Sequence, residues 1–158
     1  MALCVLRRES HWALEFLRWS SINIGYPLPP FARLRLYSYP NAWKEATVEK
    51  QDCFWSSMNF FNDQPDPSFL EPDYTKQILE SQYPVAQGVL AFGDLLTLID
   101  TNGNGYHMCV YLVDHFVFTK NGVNTPSTWV IMKLSDMLIF FPTEDAHKFV
   151  IYRRKDLS

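Results

Sequence analysis

The chain changes texture at Leu95, and no other feature limits its fold as much. Beyond that point it reads as short apolar, β-branched and aromatic runs separated by turns: Leu95–Ile99, His107–Val113, Phe116–Thr119, Trp129–Lys133 and Phe149–Arg154. These runs predict an antiparallel meander, while Leu134–Phe141 fits either a strand or a short helix. Before Leu95, apolar residues recur at helical spacing. Helices first and antiparallel strands second specify an α+β domain, with N-terminal helices packed on one antiparallel sheet of five or six strands.

The helical half opens with an irregular lead-in over residues 1–49. Ala2–Arg8 is a short apolar run suited to a strand. Ser10 is placed to cap a helix through Trp19, with Trp12, Phe16 and Trp19 turned to the core. Gly25–Pro30 is too proline-dense for regular structure. Leu34–Tyr39 alternates and predicts an edge strand ending at Pro40, and polar Asn41–Lys50 leads onward. Asn62–Pro72 reads as a loop with three prolines. Asp73 then caps a helix, Tyr74–Tyr83, which Pro84 ends.

Between these lies Gln51–Phe61, read as a short helix beginning at a cysteine. Asp52 is a good N-cap, because its carboxylate can accept a bond from a first-turn N–H. Cys53 then takes the first helical position, where unpaired N–H groups and the positive dipole end favour a thiolate. At 100° per residue, Phe54, Trp55, Met58 and Phe61 form an apolar stripe. Cys53 projects away from it, beside Ser57 and Phe60, which suits a reactive residue better than a packing one.

The 158 residues suit one domain, with its core at about 50–154. A hydrophobic content of 47%, with 16% aromatic, excludes a disordered chain. A net charge of −3 without a long basic block gives nucleic-acid binding no electrostatic support. No apolar run approaches the ~20 residues of a membrane span. Ala2–Leu6 is too short for a signal-peptide core, and its arginines follow instead of preceding it. Cys4, Cys53 and Cys109 are odd in number and lack metal-ligand spacing, so no disulfide framework, metal or other cofactor is expected. The expectation is a cytoplasmic protein or an excised domain of an envelope protein.

Asp100-Thr101-Asn102-Gly103-Asn104-Gly105 matches the first half of an EF-hand loop, but position 12 is Tyr111 where a bidentate glutamate is required. A turn between two strands explains these residues without calcium. Directly after it comes His107, at a predicted strand start, where an imidazole can serve as a base near neutral pH. His11, His115 and His147 lack such a setting; His115 falls in the predicted hairpin turn. A cysteine at a helix start with a histidine at a strand start is the papain-type pairing.

Three stretches carry a resemblance to the NlpC/P60 superfamily of papain-like cysteine peptidases. Asp52-Cys53 resembles its Asp-Cys at the nucleophile helix. Phe92-Gly93-Asp94-Leu95-Leu96 resembles its Gly-Asp-Leu lead into the first strand. His107-Met108-Cys109-Val110-Tyr111-Leu112 resembles its His-Val-Gly-Ile-Tyr strand. The likeness covers about residues 50–122. It departs at Cys53-Phe54-Trp55, where the family has Cys-Ser-Gly, so the chain would be a divergent member.

The resemblance implies a cysteine hydrolase that cleaves amide bonds, with Cys53 as nucleophile and His107 as base. The implied substrate is a peptide or small acyl compound, in the family a cell-wall peptide with a D-glutamyl linkage. An oxyanion donor is expected from the Cys53 N–H and an upstream tyrosine, Tyr39 or Tyr37. The family's third polar residue falls at Thr119. A three-residue loop at Val113–His115 would set Thr119 opposite Cys109 and Asn121 opposite His107 on one face, so either could orient the imidazole. A two-residue turn would put Phe118 and Lys120 there instead. Two other classes fit the same residues: a catalytically silent interaction module, and a cysteine acyltransferase or thioesterase-like enzyme.

Overall fold

The computed structural model describes residues 28–39, 51–122, 127–141 and 148–157. The readings placed on Ala2–Arg8, Ser10–Trp19, residues 25–27, Asn41–Lys50, Cys4, His11 and His147 lie outside them. Five strands form one antiparallel sheet: β1 (Leu95–Ile99), β2 (Gly105–Tyr111), β3 (Phe116–Lys120), β4 (Trp129–Lys133) and β5 (Lys148–Tyr152), in the order β4-β3-β2-β1-β5. The described helices are α1 (Pro30–Arg35), α2 (Cys53–Met58), α3 (Pro72–Gln82) and α4 (Leu134–Phe140), with 3-10 turns at Pro67–Leu70 and Lys155–Leu157. The domain is α+β, and its sheet has five strands among the described residues.

The sheet is covered on both faces, so its central strands carry apolar residues on both sides instead of alternating, with Thr97, His107, Thr119 and Lys120 as the buried polar exceptions. On one face Leu95, Met108, Val110 and Phe118 meet Trp55, Met58 and Phe60 of the α2 region. On the other, Leu96, Leu98, Cys109 and Val117 meet Met137 of α4. Full burial of a side chain such as Phe60 contributes roughly 1.5–3 kcal/mol.

The β2–β3 hairpin closes on a three-residue loop, Val113–His115, between the bonded residues Leu112 and Phe116. Leu112 N–H donates to Phe116 C=O at 2.9 Å, and Phe116 N–H to Val113 C=O at 2.9 Å. Asp114 and His115 take φ of 49° and 62°, a left-handed turn that aspartate tolerates better than β-branched residues do. The resulting pairs are Tyr111↔Val117 and Val110↔Phe118, and there the ladder stops, although β2 runs back to Gly105 and β3 on to Lys120. β3 stays paired to β4 down to Lys120↔Trp129. The two strands therefore part into a notch below Val110 and Phe118.

Asp94 of the Gly-Asp-Leu stretch fixes the far edge. Its buried carboxylate takes Arg153 Nε and Nη2, each at 2.7 Å, and the Ala91 N–H at 2.8 Å. That clamp joins the entry of β1 to the exit of β5. Asp100, in the turn after β1, accepts the Asn102 and Asn104 N–H groups at 2.9 and 2.7 Å, so it organises its own loop.

Several sequence expectations need correction. Leu34–Tyr39 is not a strand: Pro30 opens α1 at N1, where a missing N–H costs nothing, and only Leu36 makes a bridge, to Trp129. The alternation there misleads because Leu34 points to solvent. α3 begins at Pro72 with Glu71 as N-cap, which puts Asp73 inside the first turn. The Asn62–Pro72 loop contains a 3-10 turn capped by Asp66. β2 begins two residues before His107, and β5 spans Lys148–Tyr152. Leu134–Phe141 resolves as helix.

Candidate active site

α2 starts as its sequence requires. Asp52 Oδ1 accepts the Trp55 N–H at 2.8 Å, and Cys53 is the first helical residue. The stripe is wider than expected: Phe60 is fully buried, whereas Phe54 and Phe61 are half-buried. Ser56 is buried as well, and its Oγ accepts Trp129 Nε1–H at 2.8 Å. That bond ties α2 to β4. The Arg35 guanidinium lies over the rings of Phe31, Trp55 and Trp129 at 5.2, 5.1 and 4.9 Å, joining α1 to the same junction.

α2 packs on the Met108 face of β2 and β3. Its cysteine sulfur lies beside the Met108 backbone N–H, which is part of the peptide joining His107 to Met108. Leu112 N–H points to β3 and Tyr111 N–H to the β1 side, so by alternation Met108 N–H points to β3. No β3 partner meets it, because the ladder has already ended. Cys53 thus sits at the notch between the strands.

His107 extends from the opposite face of β2. Its ring stacks on Phe141 with centroids 3.7 Å apart and planes 22° apart. Its Nε2 lies 2.9 Å from Thr119 Oγ1. The three-residue loop produces this pairing, with Thr119 opposite Cys109. Asn121 falls opposite His107 but does not reach the ring, and its Oδ1 is buried without a partner among the described residues. His107 Nδ1 makes no hydrogen bond to a described residue, Cys53 included. The thiol and the imidazole approach the notch from its two faces.

Burial governs the charges. It pushes the Cys53 thiol up to about 12, against the smaller pull of the Met108, Cys53 and Phe54 N–H groups. It pushes His107 down to about 4. Cys53 is 5% exposed and His107 1% exposed. The resting pair is therefore thiol and neutral imidazole, and the thiolate expected from the helix start alone is overturned: the three N–H groups do not offset the lost hydration. Desolvation also raises the Asp52 carboxyl, with Trp55 and Phe54 N–H groups and Lys120 acting against it.

Neither upstream tyrosine fits the oxyanion role expected of it. Tyr39 is 65% exposed and Tyr37 is similarly exposed, because α1 turns them outward after Leu36. Buried Gln51, two residues before Cys53, takes the inward position and accepts from Arg35 Nη1 at 3.5 Å.

Lys120 is the site residue that sequence reasoning missed. It is fully buried on the α2 face, its Nζ donates to Gly122 C=O at 2.7 Å, its charge acts on Asp52, and it lies within electrostatic reach of Cys53. Burial lowers its proton affinity, and those two groups raise it. The signal was the register already weighed for the hairpin: a three-residue loop that turns Thr119 toward His107 turns Lys120 toward Cys53. Among the described residues no three His, Cys, Asp or Glu side chains group as metal ligands, and no helix is long and apolar enough to cross a membrane. Comparison with protein-family models, curated proteins and solved structures finds no match.

Proposed function

We propose that the chain is a cysteine hydrolase that cleaves amide bonds, with Cys53 as nucleophile, His107 as base and Thr119 as the residue that orients it. One observation carries the reading: the Cys53 sulfur lies beside the His107–Met108 peptide while Thr119 holds the far nitrogen of the His107 ring. The Thr119 hydroxyl also lies 3.5 Å from Lys120 C=O. With its hydrogen directed there, its lone pair accepts Nε2–H and leaves Nδ1 with the lone pair a base needs.

In this reading His107 Nδ1 takes the Cys53 proton as sulfur bonds to the substrate carbonyl carbon. Lys120 offsets charge at the sulfur, and the Cys53 backbone N–H donates to the oxyanion. The C–N bond then breaks, and the leaving amine takes the proton from His107. A water molecule, deprotonated by His107, attacks the thioester, and the sulfur leaves and regains its proton. Because the resting pair is neutral, this proton transfer accompanies substrate binding and does not precede it.

The likeness of Asp52-Cys53, Gly93-Asp94-Leu95 and the His107 strand to NlpC/P60 peptidases supports a cell-wall peptide as substrate. Incubation with a wall tetrapeptide containing a γ-D-glutamyl linkage tests it: new amine that disappears in Cys53→Ala supports the reading, and no release by the wild type sinks it. The tight burial of both groups favours a second reading, a silent interaction module that keeps the dyad as core. Peptide cleavage excludes it.

A further inference from the structure

A cleft of about 400 Å³ opens on the α2 face, between α3, the Pro67–Leu70 turn and the sheet residues Thr97 of β1, Gly105 of β2 and Tyr152 of β5. Phe54, Phe69, Leu79 and Tyr152 make apolar walls. The volume lies within the range of small-ligand sites. The cleft begins at the residues flanking the nucleophile, since Asp52 and Phe54 both line it.

Two details suit it to a ligand. Thr97 lines it, is 5% exposed, and its Oγ1 is buried with no hydrogen-bond partner among the described residues. A buried hydroxyl left unsatisfied is costly, so a partner arriving with a ligand is rewarded. A second wall hydroxyl, of Thr75, is already committed to Phe69 C=O at 3.1 Å. Gly105 keeps this corner open: a Cβ there would stand 2.9 Å from Thr97 Cγ2 and 3.4 Å from Phe54 Cζ.

We propose that this cleft binds an apolar group, aromatic or branched aliphatic, that carries one hydrogen-bonding atom for Thr97, and that it seats one side of the bond Cys53 attacks. The assignment to a substrate rests on the hydrolase reading; the ligand class rests on the cleft alone. The Cys-Phe-Trp sequence at the helix start builds the site, because Phe54 is both the neighbour of the thiol and a wall of the cleft.

Methyl-resolved NMR titration of the full chain with benzyl alcohol, and separately with toluene, tests it. Benzyl alcohol should give saturable shifts at the Thr97, Leu70 and Leu79 methyls, with Kd in the ~1 mM range of a fragment. Thr97→Val, which removes an unpartnered hydroxyl and keeps the shape, should weaken benzyl alcohol about tenfold and leave toluene unchanged. Leu79→Trp, which fills the cleft, should abolish both. No saturable shift at these methyls up to ~20 mM, or equal loss of both compounds in Thr97→Val, overturns the proposal. Binding that persists without peptide cleavage by the wild type removes the hydrolase reading and the substrate assignment, and leaves the ligand site standing.

Discussion

His107 Nε2 and Thr119 Oγ1 lie 2.9 Å apart although 12 residues separate them, because a three-residue loop fixes the register of their strands. A threonine fixes a ring less firmly than a carboxylate would, since one neutral hydrogen bond nets only about 1 kcal/mol. Thr119→Val should lower peptide hydrolysis at least about tenfold, and Thr119→Ser should largely restore it. Asn121→Ala should leave the rate within about twofold, since its side chain does not reach the imidazole. Imidazole nitrogen shifts should report mixed tautomers in Thr119→Val alone.

The proton affinity of His107 sets an acid limit on stability. Its pKa falls from an ordinary 6.5 to about 4 on folding, so between these values the unfolded chain binds more protons. Stability is therefore fully present above pH ~6.5 and is lost as pH falls toward ~4, by about 3 kcal/mol in all. Urea unfolding at steps between pH 7 and 4 should show this slope, and His107→Gln should flatten it. Phe141→Ala uncovers the ring and should move its titration back toward 6.5.

Lys120 has an opposite task at the thiol. Lys120→Met removes the cation within electrostatic reach of Cys53 and should slow Cys53 alkylation by iodoacetamide about tenfold, the equivalent of one pKa unit. In the wild type the labelling should be slow at pH 7 and rise through pH 9–11, with Cys53 ahead of fully buried Cys109. Mass-spectrometric labelling of both sites measures it. Equal labelling of Cys53 in wild type and Lys120→Met would remove Lys120 from the site.

The tie between α2 and β4 should be measurable as stability. Ser56→Ala leaves the buried Trp129 Nε1–H without its acceptor and should cost about 1–3 kcal/mol in chemical denaturation.

Local chemistry was legible where a single residue type decides it. Asp52 announces a cap, the Asp100–Gly105 run announces a turn, and the β-branched and aromatic runs announce strands. That Thr119 and Asn121 would share the face of His107 was legible too, because strand periodicity is 2 and loop length chooses the face, but the choice of Thr119 over Asn121 was not. The rest depended on burial. Cys53 at a helix start reads as thiolate until its 5% exposure is known, since desolvation comes from residues distant in sequence. Tyr39 reads as an inward donor until α1 carries it outward. Lys120 entered only as the residue a two-residue turn would set beside His107, and its burial against Trp129 on the α2 face depends on packing.

The early end of the β2–β3 ladder turns one backbone amide into a reporter. Met108 N–H points at sulfur where a carbonyl would normally stand, and sulfur is a weak acceptor when protonated and a strong one as thiolate. The Met108 amide resonance should therefore follow the charge on Cys53 more closely than any neighbour does, moving downfield as the thiol ionises and collapsing back on alkylation. The chain contains, in its own backbone, a spectroscopic gauge of whether its cysteine is armed.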